Sequence, residues 1–600
     1  MGLSVMNRRN FLLQAGALAA SPLLANAAAA PEEAPRAAKA AVGVAKGPVF
    51  AALDVFVPAY IKAMNAPGLT LGTVDAAGKG GEACYGYANL EKLQQLTPDL
   101  LFQIGSISKS FLAIVLLQLR EEGKLDLNAP VLEYLPWLPI ETPYGEVTVH
   151  HMLTHSSGLP GDAPLFPSNP TDRYRQSWKP GERFHYSNFC FQALGKLAAS
   201  IERRPLHECI QQRILDPLGM TATSPVLNEA ILPLMAESYT PEMRDRPHGR
   251  QCKLTPASKI DSDSGAGAIA STPGDMRKYM RMILNRGQGA RHRILKEESF
   301  ALFSHPHIKA EEFGPTASYG YGIAVDTLDG HTILRHTGGM VSFMSAMQID
   351  LDGGVAAFAS VNAQLGYRPN PVAQFAIQSM RSDAEGKPLP APPALDDPAL
   401  LKNPKEYAGT YHAPDGKVCR VVAAESSIAL QLDGREVALE GLGGDRFISV
   451  LPEYSGFAFA FRREEPKPAG GPAAAQPEAG KDSQSKDEPT PPILELVHGS
   501  RWFAKGQPSA AKAVPARYAA FPGKYINDSP WMGSFSLVER KGQLWIDGEV
   551  PLVELGDSLF RLGDEPDSPE TLSFFHIVDG RAQMVKSADG DYWRITTESA

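Results

Sequence analysis

Cysteine is scarce in this chain and never paired in sequence. Five residues, Cys84, Cys190, Cys209, Cys252 and Cys419, are spread over 600 positions. They form no C-x-x-C pair and no dense framework, so neither a zinc ribbon nor a disulfide scaffold is encoded. An odd count leaves at least one thiol outside any intrachain bridge. Cys190 and Cys209 could pair, and the sequence does not decide it. No segment reaches the roughly 18 apolar residues that a membrane span needs. Positive charge is in deficit: 58 Lys and Arg stand against 67 Asp and Glu, a net charge of −9, and −11 without Arg8 and Arg9 of the first 30 residues. That balance argues against nucleic acid as the main partner. There is no Gly-x-Ser-x-Gly elbow, no His-Glu-x-x-His and no phosphate-cradling glycine loop, so α/β-hydrolase, zincin and nucleotide-binding readings have no support. No motif implies a cofactor.

The chain is long enough for two to four domains. Residues 1–30 read as a cleavable export signal: Asn7-Arg8-Arg9-Asn10-Phe11-Leu12-Leu13 precedes a short, interrupted apolar stretch, and the Arg-Arg pair with Phe two positions on resembles the twin-arginine type. The expected destination is the bacterial periplasm or the medium, with no membrane anchor once the signal is removed. Residues 31–46 read as a flexible leader. From 47 to 380 helical and strand patterns alternate. A hairpin is expected from Leu69–Val74 and Cys84–Ala88, helices over 106–122, 189–203 and 274–286, and strands over 321–326, 332–335, 344–350 and 354–361. A Pro-rich linker follows at 381–400. Beyond it Tyr407-Ala408-Gly409-Thr410-Tyr411 is echoed by Phe521-Pro522-Gly523-Lys524-Tyr525, which predicts two related β modules at 401–505 and 515–600. The first carries a Pro/Ala/Glu/Lys-rich insertion at 464–492, expected to be disordered.

Three short motifs carry chemistry. Ser106-Ile107-Ser108-Lys109 opens a strongly apolar helical run that ends at Gly123. Residues three apart share a helix face, and a desolvated amine one turn on can take the proton of a serine hydroxyl. Tyr186-Ser187-Asn188 precedes a second helix; its Tyr can relay protons to a leaving group, and its Asn can hold a substrate carbonyl and the Lys ammonium. His336-Thr337-Gly338-Gly339 lies between two strand-like runs. Glycines there let backbone approach a ligand closely, so that the N–H of Gly339 joins the N–H of Ser106 in an oxyanion hole. Each motif alone is also what a capped helix or a buried Tyr would produce. His150, His151 and His155 are read as structural, because no carboxylate or second His cluster completes a metal site.

In this order and spacing the motifs resemble those of penicillin-recognising serine hydrolases, the class C β-lactamase-like family that includes DD-peptidases, D-aminopeptidases and certain esterases. His151-Met152-Leu153-Thr154-His155-Ser156-Ser157-Gly158-Leu159-Pro160, Pro180-Gly181 and Tyr319-Gly320-Tyr321-Gly322 are similar as well. The resemblance covers about 47–380. The later modules are similar to the lipocalin-like barrels attached to some of these enzymes. The resemblance implies an α+β fold, an antiparallel sheet flanked by helices plus an all-helical lobe, followed by all-β barrel-like modules. It implies an acyl-enzyme at Ser106, general acid–base work shared by Lys109 and Tyr186, and substrate binding by Asn188, His336, Thr337, Gly338 and Gly339. The expected substrate is a small molecule or peptide: a D-amino-acyl amide, a β-lactam or a small ester. Where many relatives carry Lys at the third motif this chain has His336, a weaker anion anchor, which lowers the expectation of β-lactam hydrolysis. The alternative is a penicillin- or peptidoglycan-binding sensor that turns over poorly. Oligomeric state is not encoded legibly.

Overall fold

The computed structural model describes residues 46–395, 397–464, 490–506, 513–529 and 531–595. The expected export signal, the leader up to residue 45 and residues 465–489 of the expected insertion lie outside the described residues. Two compact units result. One holds the described residues up to Leu395 apart from Glu242–Cys252; the other holds Glu242–Cys252 and the residues beyond 396.

The first unit is built on a sheet that has nine strands among the described residues. Its order is Ile308–Lys309, Ser318–Tyr319, Ala324–Leu328, His331–Gly339, Met344–Asp350, Val355–Val361, Gly68–Asp75, Gly80–Asn89 and Gln94–Gln95. All neighbours are antiparallel. The register Leu69↔Val361 to Asp75↔Val355 joins the start of the unit to its end. Met344–Asp350 and Val355–Val361 are buried at every position, because helices cover both faces. Pro48–Ala63 and Asn370–Ala384 cover one face, with Phe56 edge-on to Phe375 at 5.1 Å. Pro273–Leu284 lies on the other and presents Met276, Tyr279, Met280 and Ile283. Thr272 starts that helix by accepting the Asp275 N–H, and Pro273 follows it at the first helical position, where a missing N–H costs nothing.

A helical lobe adjoins this sheet. Its axis is Ser108–Glu121, in which Phe111 to Leu117 are wholly buried. An all-round apolar helix is stable only when surrounded, and Asn188–Glu202, Leu206–Ile210 and Glu297–Ser304 pack around it. Phe111 stacks on Tyr279 at 3.8 Å, and Ser110 Oγ lies 2.7 Å from the Tyr279 hydroxyl.

The second unit contains two closed eight-stranded barrels, Gly409–His412 to Arg501–Lys505 and Gly523–Ile526 to Gly590–Ile595. They repeat one another in detail. Tyr411 and Tyr525 each donate a hydroxyl hydrogen bond to the carbonyl four residues earlier, Tyr407 at 2.7 Å and Phe521 at 2.6 Å. Each barrel closes with a cation paired to that tyrosine across the seam, Tyr411↔Lys505 and Tyr525↔Arg594. The cation lies over the ring in both. The fold is therefore the α+β arrangement that the resemblance implies, an antiparallel sheet flanked by helices with a helical lobe, followed by barrels.

Two local features differ from the sequence patterns, and the sequence leaves one open. Helices Pro48–Ala63 and Asn370–Ala384 are not marked in the periodicity, and the second runs past 380. The third motif does not lie between strands; it is the end of His331–Gly339. The five cysteines are thiols: Cys190 Sγ lies 3.3 Å from Ser157 Oγ, and the Cys209 thiol donates to the Pro205 carbonyl.

Candidate active site

Ser106 sits on a single 3₁₀ turn, Gly105–Ile107, that runs into Ser108–Glu121. The turn is clamped from one side by Ile269, whose carbonyl accepts the Ile104 N–H at 2.9 Å and whose N–H donates to Ser108 Oγ at 3.2 Å. On the other side it touches the end of His331–Gly339. A Cβ on Gly338 would stand 1.8 Å from the Ile104 carbonyl oxygen, and one on Gly105 would stand 2.6 Å from the Gly339 nitrogen. Gly105 also has φ +55°, a conformation that glycine adopts at little cost. Two positions without side chains thus bring the Ser106 turn and the strand into backbone contact.

Lys109 follows one turn later on the same face and is fully buried. Its Nζ lies 3.1 Å from Ser106 Oγ, 2.7 Å from Asn188 Oδ1 and 2.8 Å from the Ala266 carbonyl oxygen. The ring centres of Tyr186 and Phe191 are 4.9 and 5.5 Å away. The burial of a cation-bearing side chain is thereby matched by three hydrogen-bonding partners and two ring faces.

Asn188 is the first residue of Asn188–Glu202. Ser187 caps that helix by accepting the Cys190 N–H and donates its own hydroxyl to the Pro160 carbonyl at 2.7 Å. The Asn188 N–H donates to the Gly161 carbonyl at 2.6 Å. Its Nδ2 donates to both Asp162 carboxylate oxygens, at 2.9 and 3.1 Å. Asp162 is a site residue that the sequence reading does not find: it lies just beyond the Gly158-Leu159-Pro160 run, and no motif marks it.

Tyr186 is 7% exposed. Its ring lies 4.3 Å from that of His155 and 6.2 Å from that of His336. His155, at φ +56°, holds the turn that carries Tyr186: its Nδ1 accepts the Ser187 N–H at 3.0 Å, and its carbonyl accepts the His185 N–H at 2.8 Å. His151 closes a capping box with Thr148, and His150 Nδ1 lies 2.8 Å from the Tyr321 hydroxyl. Among the described residues no group of three His, Cys, Asp or Glu side chains is placed to hold a metal ion.

His336 is 2% exposed. Its Nδ1 lies 2.6 Å from the Thr337 carbonyl oxygen, which only accepts, so Nδ1 carries a hydrogen. In the neutral ring Nε2 then accepts from the Tyr319 hydroxyl at 2.9 Å. Burial, and secondarily Tyr186 nearby, hold the Tyr319 phenol well above its usual range, so it remains a donor. Phe184, Phe313 and Tyr319 enclose this corner together with His155 and His336. Sequence reading notes Tyr319 only as part of a run and misses both phenylalanines. Thr337 is half-buried and pairs with Ala346, and Gly339 pairs with Met344. The structure brings Ser106, Lys109, Tyr186 and Asn188 together through their side chains, Gly338 and Gly339 through backbone, and His336 and Thr337 through the strand that carries them.

Among curated proteins the chain is similar to a beta-lactamase of Pseudomonas fluorescens, 28% identical over 240 residues, which covers 39% of this chain and 64% of that one. It is similar to Protein Rv1367c of Mycobacterium tuberculosis (strain ATCC 25618 / H37Rv), 26% identical over 269 residues, which covers 38% and 64%. It is also similar to penicillin-binding protein 4* of Bacillus subtilis (strain 168), 23% identical over 397 residues, which covers 61% and 84%. The chain thus spans under two thirds of the length of the first two. Among solved structures the octameric penicillin-binding protein homologue from Pyrococcus abyssi shares the fold, with a TM-score of 0.50 at 22% identity over 76% of this chain and 100% of that one. The beta-lactamase family model matches residues 57–379, more than half of the chain, and the chain belongs to that family.

Proposed function

We propose that this protein is an exported serine hydrolase in which Ser106 attacks an amide or ester carbonyl and water then releases the acid from the acyl-enzyme. Family membership supports serine-hydrolase-type or penicillin-binding character. The observation that carries the finer reading is the surroundings of Lys109 Nζ. Its three contacts match an ammonium that gives one hydrogen each to the Ala266 carbonyl, Asn188 Oδ1 and Ser106 Oγ. When that amine has given up a proton, the two groups that only accept keep the remaining hydrogens and the lone pair faces the Ser106 hydroxyl. As the Oγ–C bond forms, the serine proton passes to Lys109. As the C–N or C–O bond breaks, Tyr186 hands a proton to the leaving atom and takes back the serine proton from Lys109, whose Nζ lies 4.9 Å from its ring centre. The amides of Ser106 and Gly339 receive the developing oxyanion.

Both ring nitrogens of His336 are engaged within the protein, so the third motif offers no fixed cation to a substrate carboxylate. This supports D-amino-acyl amides and small esters ahead of β-lactams. The Arg8-Arg9 pair supports export to the periplasm.

The test is a time course of intact mass after mixing with a penicillin, with p-nitrophenyl acetate and with D-alanyl p-nitroanilide, beside Ser106→Ala. A Ser106-dependent adduct that decays with product release is expected for the ester or the amide. A penicillin adduct that persists without turnover would replace hydrolysis by penicillin binding. No Ser106-dependent adduct with any of the three, in a folded protein, would overturn the reading.

A further inference from the structure

Asp162, Asn188, Lys109 and Ser106 form one continuous chain of side chains. The carboxylate takes Asn188 Nδ2–H at 2.9 and 3.1 Å, Asn188 Oδ1 lies 2.7 Å from Lys109 Nζ, and Nζ lies 3.1 Å from Ser106 Oγ. We infer that Asp162 is a positioning residue whose carboxylate decides which end of the Asn188 amide faces Lys109. The inference rests on the hydrolase reading of the site, to which it adds a member.

A side-chain amide has two ends of similar shape and opposite polarity. An ionised carboxylate only accepts. With both of its oxygens within reach of one amide end, that end is the NH₂. Turned over, Oδ1 would face the carboxylate, acceptor against acceptor. The NH₂ would then point its hydrogens at Lys109, where they would occupy the lone pair of a neutral amine or repel an ammonium. In either protonation state the Lys109 lone pair is no longer held for the Ser106 proton. Asp162 thus reserves the amine for the serine from two residues away.

Asp162 is itself held in place by the helix that it serves. The Gly161 carbonyl accepts the N–H groups of Asn188 and Phe189, and the Pro160 carbonyl accepts the Ser187 hydroxyl. The segment is tied to the first turn of a 15-residue helix, where the exposed N–H ends favour a negative charge.

The test uses the full chain and a serine-directed fluorophosphonate, with Ser106 labelling followed by intact mass. Asp162→Asn keeps an acceptor oxygen for Nδ2 and drops the charge; Asp162→Ala removes the acceptor. Labelling is expected to slow about 10- to 100-fold in Asp162→Ala, the size of a small misplacement of a reacting group, and to stay within about threefold of wild type in Asp162→Asn at an unchanged thermal midpoint. Asp162→Ser, too short to reach Nδ2, takes the place of the alanine variant if that one does not fold. Equal rates in Asp162→Ala and wild type, or equal slowing in Asn and Ala, would overturn the inference. Neutron crystal structures, in which the NH₂ and the oxygen of an amide are told apart, decide independently of reactivity. Asn188 is expected in one orientation in wild type and turned or doubled in Asp162→Ala; a single unchanged orientation there would also overturn it. Absence of Ser106 labelling in wild type would count against the hydrolase reading, and the Asn188 orientation would still judge the role of Asp162.

Discussion

Gly338 and Ile104 are in backbone contact: a methyl group on Gly338 would come to 1.8 Å from the Ile104 carbonyl oxygen. The floor of the site is made by two main chains that meet at Gly338 and Gly105, neither of which has a side chain. Gly338→Ala must push the strand end and the nucleophile turn apart. We expect Ser106 acylation to fall about 100- to 1000-fold, the loss seen when an oxyanion donor is displaced, together with a lower thermal midpoint. Wild-type acylation in Gly338→Ala would show that the contact is not needed.

Lys109→Met tests the proposed base. It removes the amine that faces Ser106 and should cost about 10²–10⁴-fold in turnover. The site of the amine is wholly buried, and its loss leaves the Ala266 carbonyl and Asn188 Oδ1 without their donor, at a cost of about 1–3 kcal/mol. A somewhat lower thermal midpoint in a still-folded protein is therefore expected beside the lost activity. Turnover within tenfold of wild type would transfer the base role to another group.

His150 and His307 make the first unit sensitive to acid. Burial pushes both down to about 4, aided by His151 beside His150 and by His150 and His305 beside His307. The unfolded chain titrates near 6.5. Between those values the unfolded state binds more protons, so stability present above about pH 6.5 is lost as the pH falls toward 4. Urea midpoints should drop between pH 7 and pH 5. His307→Phe, which keeps the stack on Tyr321 at 4.4 Å, should flatten that dependence. An unchanged slope in the variant would place the acid sensitivity elsewhere.

The barrel seams predict an order of stability losses. Arg594 donates to the carbonyls of Ala520, Phe521, Pro522 and Ala582 and to the Tyr525 hydroxyl. Lys505 donates to the Glu406 carbonyl. A partly buried acceptor left without its donor costs about 1–3 kcal/mol. Arg594→Met should therefore lower the urea midpoint of the second barrel more than Lys505→Met lowers that of the first, with Trp545 and Trp502 as the local fluorophores. The reverse order would refute this account of the seams.

The cysteines predict indifference to redox conditions. With Cys190 and Cys209 unbridged, dithiothreitol should leave the thermal midpoint unchanged, and unfolding in urea without reductant should expose all five thiols to a chromogenic reagent. Three reactive thiols in place of five would reveal a bridge.

The parts of the fold legible in the sequence are those with strong local patterns. Leu69–Val74 and Cys84–Ala88 alternate around a Gly-rich turn, and they form the expected hairpin in Gly68–Asp75 and Gly80–Asn89. The apolar run after Ser106 is a buried helix. The Tyr411 and Tyr525 echo marks two barrels with one closure. Asn370–Ala384 was hidden because Pro369, Pro371 and several polar residues mask its period, although Pro371 stands in the first turn, where it is tolerated. His336 to Gly339 read as a loop because glycine is poor in strands; the contact with Ile104 outweighs that preference. Asp162, Phe184 and Phe313 were not legible at all. Each acts through a neighbour that only the fold supplies, and a single Asp or Phe in a loop carries no spacing signal.

One barrel pairing has a meaning for how this chain can vary. Arg463 and Ile493 are cross-strand partners, so any sequence joining them starts and ends at adjacent points of the barrel wall. The entropy of closing such an excursion grows only with the logarithm of its length, about 0.6 kcal/mol for each doubling. The wall is therefore a cheap port for changes of length between Arg463 and Ile493. New sequence can be tried at that port, by evolution or by an engineer adding a tag, while every register around it stays as it is.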